Sequence, residues 1–253
     1  MSTHNLLQSI LDANETYAAA FAQADPRLLK KLAKGQSPRI FWLGCSDSRV
    51  SAELSTGVAP GSIFVHRNIA QCFHEGDPSA SAALTYAINV LKVEAIIVCG
   101  HTGCGGVKAA AGMAKAEKEN GPAQPKNQHE RIVTNWIGPL KNLALEQIKQ
   151  NESANGAYDA ESEQAVATLT DKHVEETVRA VASSPIVKEA WENGQELAVH
   201  GWVYHVGTAK LRDLDVGWKG VNVRADSLSR SKTYEDSEYS EHLEGVPDSD
   251  DEK

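Results

Sequence analysis

The chain has 253 residues, 41% of them hydrophobic and 23% charged, enough to bury a substantial core in one large α/β domain or two small ones. Its formal net charge is −9, but nine acidic residues and one lysine between Glu235 and Lys253 account for −8, leaving −1 for the other residues. That balance argues against a nucleic-acid binder, which would carry a basic face, and no run approaches the ~18 apolar residues of a membrane-spanning helix.

The opening MSTHNLLQSILDANE has no charged segment leading into an apolar one and carries Asp12 and Glu15, so neither a secretory nor a mitochondrial leader is expected there. The four cysteines, Cys45, Cys72, Cys99 and Cys104, are expected to be thiols or metal ligands in a chain too large to need disulfides. A cytoplasmic protein is the expectation.

In chain order, residues 4–22 read as an amphipathic helix with Leu7, Ile10, Leu11 and Tyr17 near one face, an arm that must pack on its own domain or on a partner subunit. Apolar runs at 39–43 (RIFWL), 62–66 (SIFVH) and 95–99 (AIIVC) read as buried strands, with a fourth within 196–204. The alternating KLRDLDV at 210–216 suits an edge strand with one wet face. Helical patterns at 79–91, 105–119, 130–150 and 161–182 lie between strands, and polar stretches at 119–128 and 151–162 read as loops. The alternation predicts an α/β fold: a mostly parallel central sheet, about four parallel strands plus an antiparallel edge strand, with helices on both faces. Residues 1–225 are expected to form one catalytic domain with its N-terminal arm, and the Ser-, Asp- and Glu-rich 226–253 a disordered, solubilising tail.

Two segments carry the chemistry. GCSDSRV (44–50) follows the first strand and GHTGCGG (100–106) follows the third. Sites in open α/β sheets form at carboxyl ends of strands, so Cys45 should meet His101 and Cys104 at one edge. Two thiolates and an imidazole suit zinc and leave a fourth position open, as in catalytic sites. Asp47 stands where it could bind the metal or take a proton from its water, and Arg49 could hold that carboxylate bidentately. Taken singly, each feature has an ordinary reading: a small buried thiol, a loop histidine, a surface ion pair. Cys72 and Cys99 fit no ligand position. His4, His74, His129, His173 and His242 sit in polar contexts and are expected to be exposed, while His66, His200 and His205 flank strands.

The combination C-x-D-x-R at 45–49 with H-x-x-C at 101–104 resembles the β-class carbonic anhydrases in their plant-like and fungal form. So do GQSPRIFWLGCSDSRV, PGSIFVHRNIA, ALTYAINVLKVEAIIVCGHTGCGGV and VHGWVYHVGTAKLRDLDV, which extend the resemblance over residues 5 to 225. It implies one zinc per chain held by Cys45, His101 and Cys104, an Asp47–Arg49 catalytic dyad, and reversible hydration of carbon dioxide to bicarbonate and a proton by zinc-bound hydroxide. It also implies a homo-oligomer, a dimer or a dimer of dimers. Gln36 would bind substrate across the dimer, and Phe64 and Tyr86 would line the carbon dioxide pocket. Trp42, Arg67 and Tyr204 match a second, regulatory bicarbonate pocket of some members, in whose closed state Asp47 becomes the fourth zinc ligand; equally, they could be two core aromatics and an ion-pair partner. Two alternatives stay open: a carbon disulfide or carbonyl sulfide hydrolase of the same fold, and an inactive zinc-binding regulatory homologue.

Overall fold

The structure is a computed structural model that describes residues 3–155 and 158–219. The acidic tail expected at 226–253, with His242, lies outside the described residues, as does the expected domain end at 225.

The chain opens with helix α1 (Thr3–Ala24) and a short α2 (Pro26–Leu32). Asp25 starts α2 by accepting the Leu28 N–H, with Pro26 at the first helical position, where its missing N–H costs nothing. Then follow β1 (Ile40–Cys45), α3 (Ala52–Thr56), β2 (Ile63–Asn68), a 3-10 turn (Ile69–Gln71), α4 (Pro78–Asn89) and β3 (Ala95–His101). A helical stretch comprises α5 (Gly105–Asn120), α6 (Gln128–Trp136), α7 (Gly138–Asn155), α8 (Glu163–Ser183) and α9 (Pro185–Glu192), before β4 (Ala198–His205) and β5 (Lys210–Lys219).

The strands form one sheet in the order β2-β1-β3-β4-β5. All neighbours are parallel except β4 and β5, which run antiparallel, as the sequence implied. Because β1 lies between β2 and β3, the chain leaves β1 toward one side of the sheet and later returns on the other. Connections therefore diverge above the carboxyl ends of β1 and β3, and a crevice opens there.

Two expected boundaries move. The helix expected over 130–150 is broken at Ile137, because Pro139 at the second position of α7 has no N–H to continue the hydrogen-bond ladder of α6. The loop expected at 151–162 begins later, since α7 runs on to Asn155. Helices α2, α3 and α9 were not expected from the sequence, since each is shorter than the roughly 11 residues over which an amphipathic period shows.

The main core lies between the sheet and α4, α8 and α9: Phe41, Leu43, Ile96 and Val98 meet Leu84, Ile88, Val174, Val178 and Val181. A second cluster joins the carboxyl end of β1 to α5 and α7 through Cys45, Ala70, Cys104, Val107 and Leu140. On the opposite face, Trp42, Ile97, Cys99 and Tyr204 pack with Val50 and Ala52, where α3 begins. By contrast α1 packs on little of its own chain. Leu6, Leu7, Ile10, Leu11 and Tyr17 are each between 47% and 60% exposed.

Candidate metal centre

Register brings the three ligand candidates together. Gly44 of β1 pairs with Cys99 of β3, so Cys45 and His101 leave their strands almost level. Gly103 then takes the left-handed conformation, φ 68°, and returns the chain so that Cys104 forms the N-cap of α5. Their ligand atoms lie within 4.8 Å of one another, and all three residues are buried. Among the described residues no other group of three or more histidine, cysteine or acidic side chains gathers in this way.

The geometry fits zinc. The sulfurs of Cys45 and Cys104 are 3.9 Å apart, close to the ~3.8 Å edge of a tetrahedron built from ~2.3 Å zinc–sulfur bonds. His101 Nδ1 lies 3.1 Å from the Thr102 carbonyl. Since a carbonyl only accepts, Nδ1 carries the proton and Nε2 presents its lone pair. That Nε2 is fully buried and has no hydrogen-bond partner among the described residues, the condition of a ligand atom awaiting a metal.

Electrostatics separates the four cysteines. Burial pushes the thiols of Cys72 and Cys99 up to about 12. Cys45 is held well below an ordinary thiol, chiefly because the Cys104 thiol donates to its sulfur. Cys104 is correspondingly pushed up by that bond. The N–H groups of Asp47 and Ala70 also face the Cys45 sulfur and favour its thiolate.

Asp47 and Arg49 form the expected pair. Arg49 Nε donates to Asp47 Oδ1 at 2.9 Å and an Nη to Oδ2 at 2.7 Å, a bidentate clasp. These bonds hold the Asp47 carboxyl well below the usual carboxylate range. Asp47 Oδ2 stands 3.8 Å from His101 Nε2, at the rim of the three-ligand cluster.

The other expected residues fall elsewhere. Phe64 pairs in register with Phe41, four residues before Cys45, so ~13 Å of strand separates it from that ligand. Its ring packs against Tyr86, centroids 5.7 Å apart, and Tyr86 is 45% exposed. Gln36 is exposed in the segment before β1. Trp42 and Tyr204 are buried in one cluster. A Cβ at Gly44 would stand 2.3 Å from Trp42 Nε1, so only glycine fits there. Arg67 donates to the carbonyls of Cys45, at 2.7 Å, and Asp47, bracing the loop that carries the dyad.

Two expected exposures are corrected. His173 is buried, 7% exposed, because it lies on the core-facing stripe of α8 with Leu169, Thr170, Val174 and Thr177. His74 is half-buried, with its ring edge-on to Trp136 at 4.5 Å and its Nε2 buried. Polar sequence neighbours concealed both positions, although the helical period around 173 was there to be read.

An open, mostly parallel α/β sheet with a Cys₂His cluster and an Asp–Arg pair at its switch point has the residues that could hold a metal ion as in an enzyme centre, three protein ligands and a fourth position free. The comparisons say which kind. The family model for carbonic anhydrases matches residues 40–211. A carbonic anhydrase of Emericella nidulans is 33% identical over 84% of this chain and 85% of its own length. A tetrameric β-carbonic anhydrase of Sordaria macrospora is 30% identical, with a TM-score of 0.71 over 85% of this chain and 99% of that one. The Coccomyxa β-carbonic anhydrase, solved with acetazolamide, is 32% identical, with a TM-score of 0.72 over 85% of this chain and 88% of that one. The chain belongs to the β-carbonic anhydrases, lyases that interconvert carbon dioxide and bicarbonate. No helix among the described residues is long and apolar enough to cross a membrane.

Proposed function

We propose that this chain hydrates carbon dioxide at one zinc ion held by Cys45, His101 and Cys104, with Asp47 and Arg49 as its catalytic dyad. The observation that carries the reading is the unpartnered, buried Nε2 of His101 beside two sulfurs spaced for a tetrahedral ion. Bound there, zinc would supply the Lewis acidity that makes water a nucleophile near neutral pH. The two sulfurs would offset its charge and make the centre a weaker acid than one with three neutral imidazoles, so turnover should rise toward alkaline pH. The Asp47 carboxylate, ionised and aimed by Arg49, accepts the hydrogen bond of the attacking water and turns its lone pair toward the carbon of carbon dioxide. Arg49 also reaches the Gly103 carbonyl at 3.4 Å, tying the dyad loop to the loop of the other ligands.

The site is completed by a second copy of the chain. In one protomer Phe64 and Tyr86 lie too far from Cys45 to line its pocket, yet Tyr86 and neighbouring Val90 present exposed apolar surface beside the β2 edge. Across a dimer, this face and Gln36 would serve the partner's centre. The uncovered apolar side of α1 supplies the clasp, since a 22-residue helix with little tertiary cover has little to hold it folded. Deleting residues 1–25 is expected to shift the assembly toward monomer at micromolar concentration in sedimentation velocity; an unchanged mass would remove α1 from the interface.

A regulatory anion at Trp42, Arg67 and Tyr204 would need Arg67 to release the Cys45 and Asp47 carbonyls. That release would free the dyad loop and let Asp47 reach the metal as its fourth ligand. The buried thiols fit a reducing compartment such as the cytoplasm, and residues 1–225 would act as one catalytic domain. The deciding experiment is stopped-flow carbon dioxide hydration on the zinc-loaded chain, with azide or thiocyanate as inhibitor. Inhibitable hydration supports the reading. Turnover of carbonyl sulfide or carbon disulfide without hydration, or zinc binding with no turnover, would replace it; the intact Asp47–Arg49 clasp argues against the inactive homologue.

A further inference from the structure

Helix α2 carries a cationic stripe that the described residues leave without a partner. Arg27, Lys30 and Lys31 stand at i, i+3 and i+4, on one face of the helix. Lys34 continues that face in the turn that follows, where its N–H bonds the Lys31 carbonyl. All four are exposed. The opposite face is apolar and partly covered: Leu28, Leu29 and Leu32 are half-buried, and Leu32 Cδ2 would stand 2.6 Å from a Cβ on Gly61. No separate stretch of nine residues in the chain holds four cations and no acidic residue. Other surface lysines are matched, since Lys115, Lys118 and Lys141 each pair with a glutamate. None of the four on the stripe makes an ion pair among the described residues, and neighbouring Asp25 is taken up in capping α2. Like charges on adjacent helical turns repel one another, so the stripe is destabilising unless something anionic covers it.

The chain carries its own anion. Residues 235–253, outside the described part, hold nine acidic residues and one lysine. The sheet shows where the chain sets out toward them. Ile63, Ile40, Ala95, Ala198 and Lys219 pair in turn across all five strands. They form one row at the amino ends of β1 to β4, opposite the metal centre. Gly61, against which Leu32 packs, lies two residues before one end of that row, and Lys219, the last described residue, is its other end. Four strand spacings put ~19 Å between the two ends. Fifteen residues, 220–234, link Lys219 to Glu235. Any chain of that length can extend to ~50 Å and spans about 20 Å as a random coil, so it reaches α2 without being pulled taut. We propose that the acidic segment 235–252 docks on the Arg27–Lys34 stripe of its own chain. Opposite charge, sufficient reach and four unmatched cations carry the proposal, which stands independently of the metal-centre reading.

Two measurements on the full-length chain test it. A carbodiimide joins a carboxylate to an amine only where the two are in contact. At ~0.01 M salt, where the Debye length is ~30 Å, it should join acidic residues of 235–252 to Lys30, Lys31 or Lys34 within one chain, as read by peptide mass spectrometry. At ~1 M salt, with a Debye length of ~3 Å, those links should vanish. The second measurement is cleavage of the segment by a glutamate-specific protease. At low salt the triple variant Lys30→Gln, Lys31→Gln, Lys34→Gln should be cut there about tenfold faster than the unsubstituted chain, several surface pairs together giving what one alone does not. At high salt the two rates should converge. The cross-linking needs no variant, and so decides alone should the triple variant fold poorly. Links to other lysines only, links only between chains, or equal cleavage rates at low salt overturn the proposal. A stripe that binds phosphatidylserine vesicles while the segment stays open to the protease would overturn it too, and would make an anionic membrane surface the occupant.

Discussion

Cys45→Ser, His101→Ala and Cys104→Ser are each expected to lose zinc and, with it, carbon dioxide hydration. Losing a group that merely supports a ligand costs roughly 10–100-fold in metal affinity, so losing the ligand itself should cost more than ~100-fold. Serine at 45 or 104 keeps the volume of the buried side chain but not the soft, readily ionised sulfur that the 3.9 Å pair provides. Alanine at 101 leaves the two sulfurs without the imidazole whose tautomer is set by Thr102 O. Metal analysis after gel filtration reads the outcome: about one zinc per chain before substitution and near none after. Full occupancy in Cys104→Ser would mean that the ligands are misassigned. Cys72→Ser provides the contrast, since its thiol is buried outside the three-ligand cluster and zinc should stay.

Asp47→Asn is expected to retain zinc and lose most activity. Removing a positioned proton acceptor costs roughly 10²–10⁴-fold, and a drop of ~10²–10³-fold in kcat is expected here. Two consequences add. An amide cannot take a full charge-assisted clasp from Arg49, and its NH₂ end cannot accept the hydrogen bond of the attacking water. Zinc content and melting temperature should be unchanged, because the Asp47 side chain sits at the rim of the centre rather than in its core. Near-normal kcat in that variant would remove Asp47 from the mechanism. Arg49→Ala should be comparably impaired, since it leaves the carboxylate free to swing toward His101 Nε2, 3.8 Å away.

The middle of the sheet was legible because β1 and β3 are buried on both faces and so read as unbroken apolar runs, each ending in a glycine-bearing segment that carries a candidate ligand. That one fact placed Cys45, His101 and Cys104 at a common edge before any coordinates. The short helices were not legible, since the seven residues of α2 make only about two turns, well short of the roughly 11–18 residues over which an amphipathic period shows. Nor was the break at Ile137, although Gly138–Pro139 marks it. Phe64 and Tyr86 illustrate a different limit: the family resemblance implies a pocket role, but the Phe41–Phe64 register leaves ~13 Å of strand between Phe64 and its own Cys45, so the proposed role would need a second copy of the chain. The Ala70–Gln71 turn, left-handed at φ 60° and φ 46°, left no trace in the sequence, because alanine and glutamine do not announce left-handed backbone. His173 did, through its place in the α8 stripe, and was passed over for its charged neighbours.

X-ray absorption at the zinc edge on the purified full-length chain tests the central claim most directly. The account predicts a four-coordinate shell of two sulfurs near ~2.3 Å and two lighter atoms near ~2.0 Å, one of them an imidazole nitrogen with its outer-ring scattering. A shell with fewer than two sulfurs, or one without imidazole, would contradict it.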